Sequence, residues 1–151
     1  MKKIEDLAGL IKSVFASQRF AVLATQSDGQ PYSNLVAFAE ADELRRLVFV
    51  TSRDTRKYAN ARLNNKVSLL IDSRTNQASD LQSAVAITAL GTTGEVDKSN
   101  KAYLAERYIS KHPQLADFLH RNSNALMEVL INEYVVATFE GVSYLHMDKI
   151  E

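Results

Sequence analysis

The residues best placed to do chemistry lie in Phe49-Val-Thr-Ser-Arg-Asp-Thr-Arg-Lys-Tyr58. An apolar strand runs into hydroxyl residues, and a helix is predicted to start near Asp54. Thr51, Ser52, Asp54 and Thr55 are all residue types that can cap it. Arg56 and Lys57 then fall in its first turn. That is the unfavourable end for cations, because the helix dipole is positive there, and the misplacement costs about 0.3–1 kcal/mol per charge. A bound anion would remove that cost. Unsatisfied backbone N–H groups, hydroxyls and two cations at a helix start suit a phosphate. The other reading is a solvated helix end whose basic side chains bend into water.

The elements that must position this segment follow from pattern. Residues 4–17 predict an amphipathic helix, with Ile4, Leu7, Ile11, Val14 and Phe15 at three- and four-residue steps. Phe20 to Thr25 predicts a strand, Ser27-Asp-Gly-Gln30 a turn in which Gly29 takes a positive φ, and Pro31 to Ala39 the return strand. A second turn at Ala41–Arg45 leads to a strand at Leu47–Thr51, which completes an antiparallel meander. A helix over about 54–64 is stopped by Asn64-Asn65. The apolar run from Val67 to Asp72 predicts a strand buried on both faces. Residues 74–82 are polar and predict a loop. Ala84 to Val96 predicts a long strand, with Gly91 and Gly94 marking bulges or a bend. Ser99 is a candidate cap for a helix over 100–111, and Pro113 starts a helical turn to about 120. Ala125–Glu140 and Val142–Met147 predict two closing strands. The fold class expected is mainly β with flanking helices (α+β), a six-stranded antiparallel barrel in one domain over residues 1–151. The helices are expected to pack outside it.

Composition narrows the function classes. Lys+Arg and Asp+Glu are 18 each, so net charge is zero, which argues against general attraction to nucleic acid or membrane. There is no cysteine, so disulfides, thiolate catalysis and thiolate metal sites are excluded. Met1-Lys-Lys is followed by Glu5 and Asp6, which interrupt any leader-like apolar run. A cytoplasmic protein is expected. His112, His120 and His146 show no metal-ligand spacing with carboxylates, and no metal is expected. Gly91-Thr-Thr-Gly94 lacks the Lys and following helix of a nucleotide-binding loop. No nucleophile–base pair stands out.

The order of these pieces resembles the pyridoxamine 5′-phosphate oxidase-like family of FMN-binding split barrels. The resemblance is carried by Phe20-Ala-Val-Leu-Ala-Thr25 with Gly29-Gln-Pro-Tyr32, by Ser33-Asn-Leu-Val-Ala-Phe38 and by Phe49-Val-Thr-Ser52. Thr55-Arg-Lys57, then Asn64-Asn-Lys-Val-Ser-Leu69, and Ala89-Leu-Gly91 extend it. It implies a split barrel and FMN in a groove between two subunits of a homodimer. The phosphate would lie on Thr51, Ser52, Arg56 and Lys57, with Val50 and Thr55 as further cofactor contacts, and the flavin edge along Ser33, Asn34, Leu35 and Val36. Arg74 and Asn76, in the polar loop after a strand, are further candidate contacts. The chain also departs from the oxidase proper. Ser33 or Asn34 stands where the oxidase has an Arg. Ala86 stands where it has a Gln, and Gln82 is out of register. There is no Trp, and no arginine-bearing C-terminal segment. Pyridoxamine 5′-phosphate oxidation is therefore not expected. The implied function is flavin-mediated hydride or electron transfer to a small molecule, since the flavin carries that chemistry itself. The alternatives are a non-catalytic flavin carrier or sensor, or a barrel holding deazaflavin or haem.

Overall fold

The computed structural model describes residues 4–149. The Met1-Lys-Lys segment lies outside the described residues. The elements are α1 (Ile4–Ser17), β1 (Phe20–Ser27), β2 (Gln30–Ala41), β3 (Arg46–Ser52), α2 (Arg56–Leu63), β4 (Lys66–Asp72), α3 (Asp80–Ser83), β5 (Ala86–Glu95), α4 (Lys98–Lys111), α5 (Ala116–His120), β6 (Asn124–Thr138) and β7 (Gly141–His146). The strands pair in the order β3-β2-β1-β4-β5-β6-β7. A further β3–β6 ladder, running from Arg46 opposite Leu130 to Ser52 opposite Asn124, closes six strands into an antiparallel barrel. Strand β7 is an added hairpin arm on β6. Closure pairs strands that would otherwise be edges.

Local chemistry explains the corners. Asp28 and Gly29 both take positive φ, 51° and 78°, which is the twist a two-residue hairpin needs between β1 and β2. Strands β5 and β6 approach closely at Gly91, where an added Cβ would sit 2.2 Å from the Leu130 carbonyl oxygen. Beside it the β5–β6 register slips: Leu90 pairs with Glu133 but Gly91 with Ile131, leaving Asn132 as an extra residue. That bulge reverses the side-chain alternation of β6. Ala125, Met127, Val129 and Ile131 face the core before it, and Tyr134 and Val136 after it. At Gly94 the register is continuous and nothing lies near a Cβ, so the bulge expected there is absent.

Two apolar clusters hold the fold. The first fills the barrel and includes α1: Leu7, Ile11, Val14 and Phe15 are buried with Phe38, Leu69, Ile87 and Tyr134. Phe15 meets Phe38 and Tyr134 edge to face, with centroids 5.4 and 5.8 Å apart. Helix α1 thus contributes to the barrel core and is not a purely external layer, because its apolar stripe is long enough to join that core. The second cluster lies under α4, where Leu104, Ala105 and Tyr108 cover Ala39, Ala41, Val48, Val50 and Leu126.

Helix α4 covers only part of the barrel's outer wall. The remaining wall has a row across six strands, Leu35–Val22–Leu70–Thr88–Val135–Tyr144, apolar except at Thr88 and in direct pairing register. Leu35 is 64% exposed and Tyr144 57%. This corrects the expectation for β4. Its inward residues Val67, Leu69 and Ile71 are buried, but Leu70 is exposed on this open face. The polar segment expected as a loop over 74–82 also differs, since it ends in the one-turn helix α3.

Candidate functional site

Helix α2 starts two residues later than the sequence suggested. Its N-cap is Thr55, with extended backbone, and Arg56 and Lys57 are its first two residues. The Thr55 side-chain oxygen accepts from the Tyr58 N–H at 3.4 Å. It also donates to the Ser52 carbonyl at 2.8 Å and lies 2.9 Å from the Thr51 hydroxyl. The Ser52 hydroxyl accepts from the Asp54 N–H at 3.2 Å. These hydroxyls therefore build the corner. Among the described residues, the Arg56 and Lys57 N–H groups have no partner, as the first turn of a helix leaves them. No acidic residue stands in that first turn.

Beside this helix start lies β2. In the amide orientation that satisfies both ends, Asn34 accepts from Lys57 Nζ at 3.2 Å and donates to the Leu23 carbonyl at 3.3 Å. Arg56 stacks on Tyr32, its guanidinium carbon 4.4 Å from the ring centroid. Partial burial pushes the Lys57 amine below its ordinary value. The structure thus brings two cations and two N–H groups at the start of α2 beside Tyr32 and Asn34 of β2. A half-buried cation without a carboxylate partner among the described residues is a feature that a bound anion would stabilise.

A second network fixes the other side of the corner. Arg53 Nη1 donates to the carbonyls of Asn122 and Asn124 at 2.8 and 3.1 Å, and Nη2 to Glu95 at 2.6 Å. The Tyr58 hydroxyl donates to the other Glu95 oxygen at 3.1 Å. Arg53 holds the Glu95 carboxyl below its usual range, assisted by Tyr58 and opposed by burial. Inside the barrel wall, Asn60 of α2 donates to Thr25 of β1 at 3.1 Å. Helix α2 is thereby tied to β5, to β1 and to the start of β6.

The other sequence candidates are placed as follows. Ser33 and Leu35 are exposed on the open face, Val36 joins the barrel core and Val50 the cluster under α4. Thr51 is buried. Arg74 pairs with Asp72 at 2.8 Å, and the Asn76 N–H donates to Asp80 at 2.7 Å. Their loop is closed on itself, and neither residue contacts the Arg56–Lys57 corner among the described residues. Tyr32 and the Arg53–Glu95–Tyr58 network were not singled out from sequence as site features. The Tyr32 ring is one residue from the expected flavin strand, which was the available signal. The Glu95 partnership spans 42 residues and leaves no local pattern. Of the histidines, His112 is buried with Nε2 2.7 Å from the Phe38 carbonyl, and His146 lies 3.3 Å from Glu133 on the open face.

Residues 7–135 match the family model described as pyridoxamine 5′-phosphate oxidase. The chain belongs to that family. Among solved structures it is similar to a haem-binding protein from Mycobacterium smegmatis (TM-score 0.83, 12% identity), covering 97% of this chain but 59% of that one. It is also similar to a protein related to general stress protein 26 from Clostridium acetobutylicum (TM-score 0.75, 15% identity, 97% and 99% covered). A third is a FAD-binding protein from Mesorhizobium loti (TM-score 0.69, 21% identity, 85% and 90% covered). At these identities the likeness is one of fold, the split barrel of the family. No protein of curated function matches the chain by sequence. Among the described residues no helix is long and apolar enough to cross a membrane.

Proposed function

We propose that this family member is an FMN-binding oxidoreductase that works as a homodimer. The observation that carries the reading is the α2 corner. Arg56 and Lys57 stand at the positive end of a helix, beside unsatisfied N–H groups, with Lys57 partly buried against Asn34. That donor set suits a phosphate monoester. In this reading the two cations and the first-turn N–H groups hold the FMN phosphate. Ser33, Asn34, Leu35 and Val36 run along the flavin edge. Bound FMN supplies hydride or electron transfer. The chain's own part is to fix the phosphate, orient the ring against β2 and exclude water from one side.

The open face supports the dimer. Leu35, Leu70 and Tyr144 expose large apolar side chains along its row, a surface that a partner would cover. A second copy laid on it would cover Leu35 and Tyr144. Arg74 and Asn76 are proposed as flavin contacts only through that second copy, because within one chain they do not reach the corner. The substrate is a small molecule other than pyridoxamine 5′-phosphate, because Ser33 or Asn34 and Ala86 stand where the oxidase has an Arg and a Gln. Haem is the second reading. It is supported by the fold likeness to the Mycobacterium smegmatis haem-binding protein and by His146 on the open face.

The absorbance spectrum of the purified protein discriminates these directly. Flavin bands, followed by bleaching under anaerobic NADH or NADPH, are the expected result. A flavin spectrum with no bleaching by either donor would favour a carrier. A Soret band would favour haem.

A further inference from the structure

A second basic site lies away from the α2 corner, in a cleft between α1, α4 and the distal half of β2. It encloses about 290 Å³ and is lined by Lys12, Phe15, Ala16, Ala39, Glu40, Arg107, Ser110 and Lys111. Three cationic side chains thus face one carboxylate. Lys12 is already paired with Glu43. Arg107 donates to the Glu40 backbone carbonyl from Nε at 3.3 Å and Nη2 at 2.9 Å, and its nearest Glu40 carboxylate oxygen is 3.9 Å away. Lys111 has no carboxylate within ion-pair distance among the described residues. Its Nζ donates to the Phe15 carbonyl at 2.8 Å and stands 3.8 Å from the centre of the Phe38 ring.

Lys111 is therefore a half-buried cation served by a carbonyl and an aromatic face. Both favour the ammonium form, yet burial outweighs them and pulls the amine down to about 8. Glu40 acts upward and the Arg19 charge downward on it. The neighbouring His112 ring is also shifted down, chiefly by burial, with Lys111 and Arg19 adding to that. The charged groups around the cleft are thus Lys12 and Arg19 from the α1 side, Glu40 from β2, Glu43 paired with Lys12, and Arg107 and Lys111 from α4, with the neutral His112 ring beside them. Positive charge is in excess. Phe15, Ala16 and Ala39 supply an apolar wall beside it.

We propose that this cleft binds a small organic dianion, with Lys111 and Arg107 holding one carboxylate, Lys12 the other, and the apolar wall against the carbon skeleton. The volume is at the lower end of ligand pockets, which suits a molecule of a few carbons. Occupancy would bridge α1 to α4, the two helices that complete the two apolar clusters. The inference stands on the cleft alone and does not require flavin at α2.

The test is a calorimetric titration with succinate at constant ionic strength, with inorganic phosphate and acetate in parallel. The Lys111 ε-methylene is followed by NMR and assigned with Lys111→Arg. Saturable succinate binding is expected, with the Lys111 midpoint raised by about one pH unit, equivalent to a tenfold preference of the anion for the ammonium form. Lys12→Gln/Arg107→Gln should weaken succinate binding at least tenfold while its urea midpoint stays within the wild-type range. Arg56→Ala/Lys57→Ala should leave it unchanged. Absence of saturable binding, equal effects of succinate and acetate, or loss only in the Arg56→Ala/Lys57→Ala protein would overturn the proposal. Phosphate binding more tightly than succinate would overturn the carboxylate assignment. Should Lys12→Gln/Arg107→Gln fail to fold, Arg107→Lys with its expected partial loss decides instead, and undiminished binding there would count against the cleft.

Discussion

Gly91→Ala tests the close approach of β5 to β6. The added methyl carbon would lie 2.2 Å from the Leu130 carbonyl oxygen, 3.0 Å from the Leu130 carbonyl carbon and 3.0 Å from Val129 Cγ1. A carbon–oxygen contact between strands normally sits at about 3.3–3.6 Å, so β5 and β6 must part by about 1 Å. The obstacle is backbone, which cannot swing aside. Separation strains a ladder that runs from Ala86 to Glu95 and weakens bonds worth about 0.5–1.5 kcal/mol each. Together with overpacking, typically about 1–3 kcal/mol, the expected loss is about 3–4 kcal/mol. That is a large part of the usual stability of a domain. Gly94→Ala, three residues along the same strand, is the control. Nothing lies within 4 Å of its Cβ, and the expected change is below about 1 kcal/mol. Urea unfolding followed by circular dichroism measures both. A Gly91→Ala loss under 1 kcal/mol, or equal losses at the two glycines, would refute the close approach.

Three further outcomes are expected. Glu95→Gln should loosen the α2 corner by weakening its Arg53 contact, lowering FMN affinity about threefold to tenfold in a fluorescence titration, about 0.7–1.4 kcal/mol; unchanged affinity would make the network irrelevant to the seat. Lys111 gives a pH signature: its folded value, about 8, lies below the 10.5 of a free lysine. The unfolded chain therefore holds more protons between those values, and the Lys111 contribution to stability rises with pH across that window. The gain is about 1–3 kcal/mol after allowing for partial exposure. Lys111→Met should flatten this rise in thermal melts collected from pH 7 to 10, and an unaltered slope would reassign it. With FMN, oxygen and pyridoxamine 5′-phosphate, no pyridoxal 5′-phosphate should form above background; clear turnover would mean that other residues hold the substrate phosphate.

The elements that sequence located well are those with local signals. Asp28-Gly29 announces the hairpin, and the α1 stripe announces its buried face. The Arg56–Lys57 pair in a helix's first turn was visible because its charge is misplaced. What escaped depends on distant partners. The cap of α4 is Asp97, whose carboxylate accepts from the Asn100 N–H at 3.1 Å, while Ser99 turns its hydroxyl to that same carboxylate. Both are good capping types, and only the chain's direction on leaving β5 decides between them. Burial of β4 on both faces was read from composition, but Leu70 faces outward on the open wall. The extra residue Asn132 is equally silent, since a bulge is defined by the strand opposite. In the candidate site, the cations were legible and Glu95 was not, because an ion pair across 42 residues has no spacing rule.

Arg56 and Lys57 are proposed to seat the phosphate of FMN. The most direct measurement is an FMN titration, by quenching of flavin fluorescence, of the wild-type protein and of Arg56→Ala/Lys57→Ala, with riboflavin as the ligand lacking phosphate. Charge-assisted contacts are worth about 1.5–3 kcal/mol each, so the double substitution should weaken FMN at least tenfold while riboflavin binding changes little. Equal FMN affinity in the two proteins, or an equal loss for FMN and riboflavin, would contradict the account.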